Sequence, residues 1–247
     1  MKIQIGLDEA GRGCVLGSLY IGAVVFESKS DDIYFKSLGV KDSKKLSPEK
    51  RRDLFSQIKK HCFYLSTSIS TDEIDSNNLN DLEFNYMSSL ASEIINRYSD
   101  VSIEKPDFEI YIDCPIKDTN KHSNEMFKSL PHHCKIKVIS EHKADDTYIV
   151  VGASSIIAKV LRDREIEKMK MLYSKEYGDI GSGYPSDEKT RVFLENFYYR
   201  NGQFPIGTRM KWGTVIKIRR ACSEDSEFDW EKLRDDVADC ERNCKSI

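Results

Sequence analysis

Residues 3–8, IQIGLD, alternate apolar and polar or small positions, the pattern of a strand whose two faces meet different surroundings. Similar β-forming runs follow at 19–27 (LYIGAVVFE), 63–70 (FYLSTSIS), 108–115 (FEIYIDCP, stopped by Pro115) and 135–140 (KIKVIS). The period changes to that of a helix at 46–61, where Ser47 is placed to cap and Pro48 to open the first turn. A second helix is predicted over roughly 79–98. A long amphipathic one covers 153–178, closed by Gly178, and another runs over 186–202, closed by Gly202. The acidic stretch 222–247 is helix-prone, with Phe228, Trp230, Leu233 and Val237 as a packing stripe. Strands 3–8 and 19–27 lie close enough for an antiparallel hairpin. The later strands are separated by helix-length segments, as parallel crossovers require. The expected fold is α/β: a five-stranded mixed sheet flanked by helices, with a C-terminal helical region. Residues 1–220 are read as one domain that includes those helices, and 221–247 as an acidic tail.

Composition narrows the class. A chain of 247 residues can bury a substantial core. It has no run of about 18 apolar residues, no basic-then-apolar leader and no N-x-S/T acceptor. Its seven cysteines are scattered without a C-x-x-C pair, which reads as reduced thiols in a cytoplasmic, membrane-free protein, expected to be a monomer. A net charge of −3 argues against a surface that grips nucleic acid everywhere, but not against a local basic groove. Three basic clusters are available: Lys41, Lys44 and Lys45; Lys143, Lys159, Arg162 and Arg164; and Arg209, Lys211, Lys217, Arg219 and Arg220. Any one of them alone reads as a solvated face.

The chemistry is carried by acids. Asp8 and Asp113 each close a strand-like run, Glu9 follows Asp8, and Asp145 and Asp146 form a third acidic source ahead of the long helix. Carboxylates brought together repel unless a cation sits among them, and an oxygen-only donor set suits Mg²⁺ or Mn²⁺. Two such ions can clamp an in-line displacement at phosphorus. Singly, each acid is more often a surface residue or a helix cap, and Asp145 and Asp146 cannot be ranked on physical grounds. Gly11-Arg12-Gly13 can bring backbone N–H groups and a guanidinium to a phosphate, or be a plain turn. Tyr184, in the loop GSGYP, can stack on a base or sugar, or pack on the preceding helix. His132-His133 lies in a loop without zinc spacing around it.

Taken together, "GLDEAGRG", "KDSKKLS", "YIDCP", "HKADDTYIVVGASSIIAKVLRDREI", "GSGYPSD" and "RMKWGTV", in that order, resemble type 2 ribonuclease H (ribonuclease HII), in its archaeal form. The resemblance spans nearly the whole chain to about residue 220. It implies an RNase H-like fold and a Mg²⁺- or Mn²⁺-dependent endonuclease. It implies cutting of the RNA strand of RNA–DNA hybrids and incision 5′ of a ribonucleotide embedded in duplex DNA, by two-metal-ion hydrolysis leaving 3′-OH and 5′-phosphate. It assigns metal binding to Asp8, Glu9, Asp113 and Asp145, reading of the 2′-hydroxyl and its phosphate to Gly11, Arg12 and Gly13, ribose stacking to Tyr184, and backbone contacts to Lys44 and Lys143. Cys14 and Ser18 depart from the prolines common in the family, and Gly152 from a serine. No sliding-clamp peptide of the form Gln-x-x-apolar-x-x-Phe-Phe occurs in the tail. Two rivals remain open: another nuclease on the same fold with no use for a 2′-hydroxyl, and a hybrid-binding module that no longer cuts.

Overall fold

A computed structural model of the protein describes residues 2–40, 45–101 and 105–224. The predicted strands form one sheet: β1 (Lys2–Ala10), β2 (Leu19–Phe26), β3 (Tyr64–Ile69), β4 (Asp107–Asp113) and β5 (Ile136–Glu141), in the order β3-β2-β1-β4-β5. The hairpin β1–β2 and the pair β2–β3 are antiparallel; β1–β4 and β4–β5 are parallel. Around the sheet lie α1 (Lys29–Ser37), α2 (Pro48–His61), α3 (Thr71–Ser76), α4 (Leu79–Val101), α5 (Thr119–Ser129), α6 (Ala144–Thr147), α7 (Ile149–Tyr177), α8 (Glu188–Asn201) and α9 (Gly213–Glu224). Ser47 caps α2 as expected, accepting from the Lys50 N–H, and Gly202 ends α8 in the left-handed region. The acidic stretch from 225 onward lies outside the described residues. Among those described, no helix is long and apolar enough to cross a membrane, and Cys14, Cys62, Cys114 and Cys134 are free thiols.

The alternation in β1 sorts its side chains between two cores. Ile3, Ile5 and Leu7 join Ile110 and Ile112 of β4 beneath Met87, Ala91, Ile94 and Ile95 of α4. The opposite face receives α7. A Cβ on Gly6 would stand 2.3 Å from the Val150 carbonyl oxygen, and one on Gly22 2.5 Å from that of Ser154. The two glycines thus let a helix backbone rest directly on the sheet. Ser154 locks the contact by donating to the Gly6 carbonyl at 2.8 Å.

The long helix differs from expectation in one respect. It starts at Ile149 and is not amphipathic in its first half, where residues 150–158 are all buried. The sheet covers one side, and the outer layer of α1 and α2, through Phe35, Leu54, Phe55 and Ile58, covers the other. Beyond the sheet its second half joins a third core with α8 and α9, built on Ile166, Met169, Phe193, Phe197 and Val215. Val15 and Leu16 enter this third core from the loop after β1. That loop is thereby fixed between the sheet and the C-terminal helices.

Candidate active site

Asp8 and Asp113 meet because of strand register. The parallel pairing of β1 with β4 runs to Leu7 opposite Ile112, so the next residues, Asp8 and Asp113, stand side by side where both strands end. By alternation both share the α7 side of the sheet, whereas Glu9 turns to the α4 side. At the sheet's end all three still converge: one carboxylate oxygen from each of Asp8, Glu9 and Asp113 lies within 4.8 Å of the others. Asp8 is buried and accepts the Glu9 N–H at 2.7 Å. Asp113 accepts the Ala144 N–H at 2.9 Å, which ties the end of β4 to the start of α6.

That junction turns on Lys143, whose backbone is left-handed (φ 57°), a conformation that costs a non-glycine residue about 1 kcal/mol or more. The turn separates the two adjacent acids that follow. Asp145 is buried and its charge reaches Asp8. Asp146 is exposed on the outer side and pairs with Lys45. Lys143 itself is exposed beside them. Asp145 lies outside the three-acid group that shares one centre.

The electrostatics favour a cation. Burial, and then the charges of Glu9, Asp113 and Asp145, hold the Asp8 carboxyl well above the usual carboxylate range. Glu9 Oε2 is buried without a hydrogen-bond partner. A hard divalent ion at this point supplies both the missing charge and the missing partner, and the all-oxygen donor set is the one such ions select.

Beside the acids, the chain leaves β1 through Gly11 (φ 97°), where a Cβ would come within 3.0 Å of the Ser18 carbonyl oxygen. The Arg12 guanidinium donates to the carboxylate of Glu83 and to Asn80 Oδ1, both on α4. Gly13 is exposed, and a Cβ there would stand 3.9 Å from the Tyr184 ring. Tyr184 is half-buried rather than open: the Arg162 guanidinium lies 4.9 Å from its ring centroid. One side of the tyrosine is thus packed, and the side toward Gly13 borders the site. The structure therefore gathers Asp8, Glu9, Gly11, Arg12, Gly13, Asp113, Asp145 and Tyr184 into one region, with Lys143 at its rim. Lys44 lies outside the described residues. His132 and His133 lie in the loop before β5, outside the acid cluster.

Several residues of this region escape a sequence reading. Glu83 is one: burial and the charge of Glu9 push its carboxyl up to about 8, against the pull of Arg12. A signal existed, because Glu83 falls on the apolar stripe of α4, four residues before Met87 and seven before Leu90. Two members of the basic clusters are not solvated at all. Arg162 and Arg209 are buried, whereas Lys211, Lys217, Arg219 and Arg220 are exposed as expected. Arg162 donates to Cys14 Sγ at 2.9 Å, and Cys14 is buried under the loop. Next to Tyr184, between α2, α7 and the glycine loop, a groove of about 380 Å³ is lined by Arg51, Arg52, Lys159, Arg162, Arg164 and Lys170. Asp163 takes up part of this charge through Lys159 at 2.5 Å, Arg162 at 3.3 Å and Arg51 at 3.5 Å.

Comparison with known proteins agrees with this arrangement. The family model for ribonuclease HII matches residues 5–215. The ribonuclease HII of Pyrococcus furiosus is 42% identical over 224 residues, 90% of this chain and 92% of that one. Among solved structures, the ribonuclease H2 from Pyrococcus horikoshii OT3 superposes with a TM-score of 0.76 at 37% identity, covering 90% of this chain and 100% of that one. The RNase HII in a PCNA complex from Archaeoglobus fulgidus gives 0.73 at 34% identity, covering 87% and 96%. With its RNase H-like sheet and its strand-end carboxylates, the chain belongs to the ribonuclease HII family of metal-dependent nucleases.

Proposed function

We propose that the protein cuts the RNA strand of RNA–DNA hybrids and incises 5′ of single ribonucleotides embedded in duplex DNA, leaving 3′-OH and 5′-phosphate ends. The observation that carries this reading is the juxtaposition of a three-carboxylate cluster with a glycine–arginine–glycine loop and a half-packed tyrosine. A phosphodiester cutter needs the first. A cutter that asks for ribose also needs donors and a sugar-sized contact at the same place.

Asp8, Glu9 and Asp113 would hold Mg²⁺ or Mn²⁺, with Asp145 added from α6. Bound there, the ions supply charge that makes a water more acidic and offsets the charge that develops on the departing 3′-oxygen. The chain's own residues do the rest. Asp113 is oriented by the Ala144 N–H, so its carboxylate is aimed before substrate arrives. Glu83 and Asn80 hold the Arg12 guanidinium against α4, leaving the loop backbone to face the strand. Gly13 has no side chain, which leaves its backbone open to a ribose beside the Tyr184 ring. Duplex DNA carrying one ribonucleotide should be nicked only with Mg²⁺ or Mn²⁺ present, and the same duplex in all-DNA form should stay intact. Metal-dependent cutting of all-DNA junctions would favour a different nuclease on this fold, and binding without cutting a decayed one. The Archaeoglobus fulgidus relative was solved with PCNA. The partners proposed for this chain are RNA–DNA hybrid and ribonucleotide-bearing duplex.

Two expected results follow from the layout. Tyr184→Ala should slow incision at a single ribonucleotide more than cutting within a long hybrid, where neighbouring riboses retain contacts; equal losses in kcat/KM would make the tyrosine a packing residue. The basic groove should act on phosphates whatever their sugar. Arg164 is exposed, with its guanidinium 4.6 Å from the Phe55 ring, and so is presented on a fixed support. Arg164→Ala should weaken ribonucleotide-bearing and all-DNA duplexes alike and flatten the log–log salt dependence of binding by about one. An unchanged slope in fluorescence anisotropy would return Arg164 to the ordinary surface.

A further inference from the structure

The loop after β1 is held from inside by one cation. Arg209 is fully buried. Its Nη2 donates to the Gly11 carbonyl at 2.6 Å, its Nη1 to the Arg12 carbonyl at 2.8 Å and its Nε to the Gly17 carbonyl at 3.0 Å. The Arg209 backbone is anchored in turn, donating to the Val15 carbonyl at 2.9 Å, and the guanidinium sits 4.9 Å from the Trp212 ring. Burial lowers its pKa only to about 10, so it stays charged at neutral pH.

Peptide geometry turns this anchor into an orientation rule. In a planar trans peptide the C=O and N–H point in opposite directions, and no cis peptide occurs among the described residues. With the Gly11 and Arg12 carbonyls drawn inward to the guanidinium, the N–H groups that share those peptide planes, on Arg12 and Gly13, face outward. Among the described residues neither has a protein acceptor. Hydrogen bonding of the carbonyls to a cation also polarises the same peptides and strengthens their N–H groups as donors. Gly13, which carries one of these amides, is exposed and borders Tyr184.

We propose that Arg209 is a positioning residue that sets the enzyme's preference for a ribonucleotide, by locking the Arg12 and Gly13 amides toward the 2′-hydroxyl and its phosphate. This rests on the reading above that the loop meets the ribonucleotide. The planar guanidinium aims a separate nitrogen at each of the three carbonyls; a lysine ammonium has three donors on one nitrogen at the end of a flexible stem and does not reproduce that fixed spacing. Glu83 and Asn80 fix the Arg12 side chain from the other direction, so the side chain and backbone of one residue are tied down independently.

The test is a ratio. For single-ribonucleotide duplex as substrate and the all-DNA duplex of identical sequence as competitive inhibitor, in Mg²⁺, wild type should give a KM well below the DNA Ki. Arg209→Lys should bring the ratio at least tenfold closer to one while leaving the DNA Ki within about twofold, since one well-aimed donor to a charged group is worth about a factor of ten. A ratio that stays within twofold of wild type, even with a lowered thermal midpoint, would make Arg209 a folding residue only and overturn the proposal. If wild type itself shows no ratio, the ribose-reading loop falls and this inference with it. Should Arg209→Lys not fold, wild type decides by ¹⁵N NMR in Ca²⁺. The Arg209 Nε signal and the Arg12 and Gly13 amide signals should shift together with ribonucleotide duplex and not with DNA duplex. Amide shifts without a response at Arg209 would overturn the proposal.

Discussion

Asp8→Asn and Asp113→Asn should each lower cleavage of a single-ribonucleotide duplex by on the order of a thousandfold at saturating Mg²⁺, with the fold intact by circular dichroism. The effect is large because the two carboxylates occupy neighbouring strand ends, and neither can be replaced by an acid from elsewhere without shifting the sheet register. Stability in the absence of metal should move the other way for Asp8→Asn. Burial and the negative neighbours raise the Asp8 pKa in the folded protein, so the folded state binds its proton more tightly than the unfolded chain does. The corresponding stability is complete below the unfolded carboxylate pKa and is lost as pH rises through the folded value. As pH rises in chelator the wild type therefore loses stability to burial and repulsion of this carboxylate, a cost that Asn does not carry. Thermal midpoints should rank Asp8→Asn above wild type in EDTA. Added Mg²⁺ or Mn²⁺ should raise wild type much more than the variant. Near-native turnover of either variant would remove that acid from the site. An equal metal-induced shift in Asp8→Asn and wild type would place the cation elsewhere.

The strands were legible because each has its own local signature and each lies within one or two residues of the expected position. Asp8 and Asp113 were legible because each closes a β-run, and two strand-end acids with a third acidic source say more than any one alone; the β1–β4 register then sets the two side by side. Elements that pack through only a few side chains were not. In α1 the buried contribution is Phe35 alone, and in α5 it is His122 and Met126, too little to make a stripe among polar residues. The burial of α7 on all sides depends on Gly6 and Gly22, which lie more than a hundred residues earlier in the chain.

Arg209 shows a different limit. Its neighbours in sequence, Lys211, Lys217, Arg219 and Arg220, are ordinary exposed cations. Nothing local marks the one arginine whose partners are the carbonyls of residues 11, 12 and 17, because that burial is created only when the C-terminal helices close over the β1 loop. Glu83 was missed although an acid on the apolar stripe of α4 is a local signal. Its pairing with Arg12, 71 residues away, has no such signal.

Asp145→Asn should raise the Mg²⁺ concentration needed for half-maximal cleavage by about tenfold or more and slow the reaction strongly, whereas Asp146→Asn should stay close to wild type. Sequence places the two acids side by side and leaves them equivalent. The left-handed turn at Lys143 starts α6 so that Asp145 points into the protein, near enough to add to the charge felt by Asp8. Asp146 points out to Lys45, and an exposed pair of that kind contributes about 0–1 kcal/mol. Asp145 also stands apart from the tight group formed by Asp8, Glu9 and Asp113. Its loss should weaken the hold on one cation more than abolish binding of both, so the deficit should be partly recovered at high Mg²⁺, unlike that of Asp113→Asn. Metal titration of the two variants side by side decides the matter. The reverse ranking would move the fourth carboxylate to Asp146. Two variants indistinguishable from wild type would confine the site to the three acids of β1 and β4.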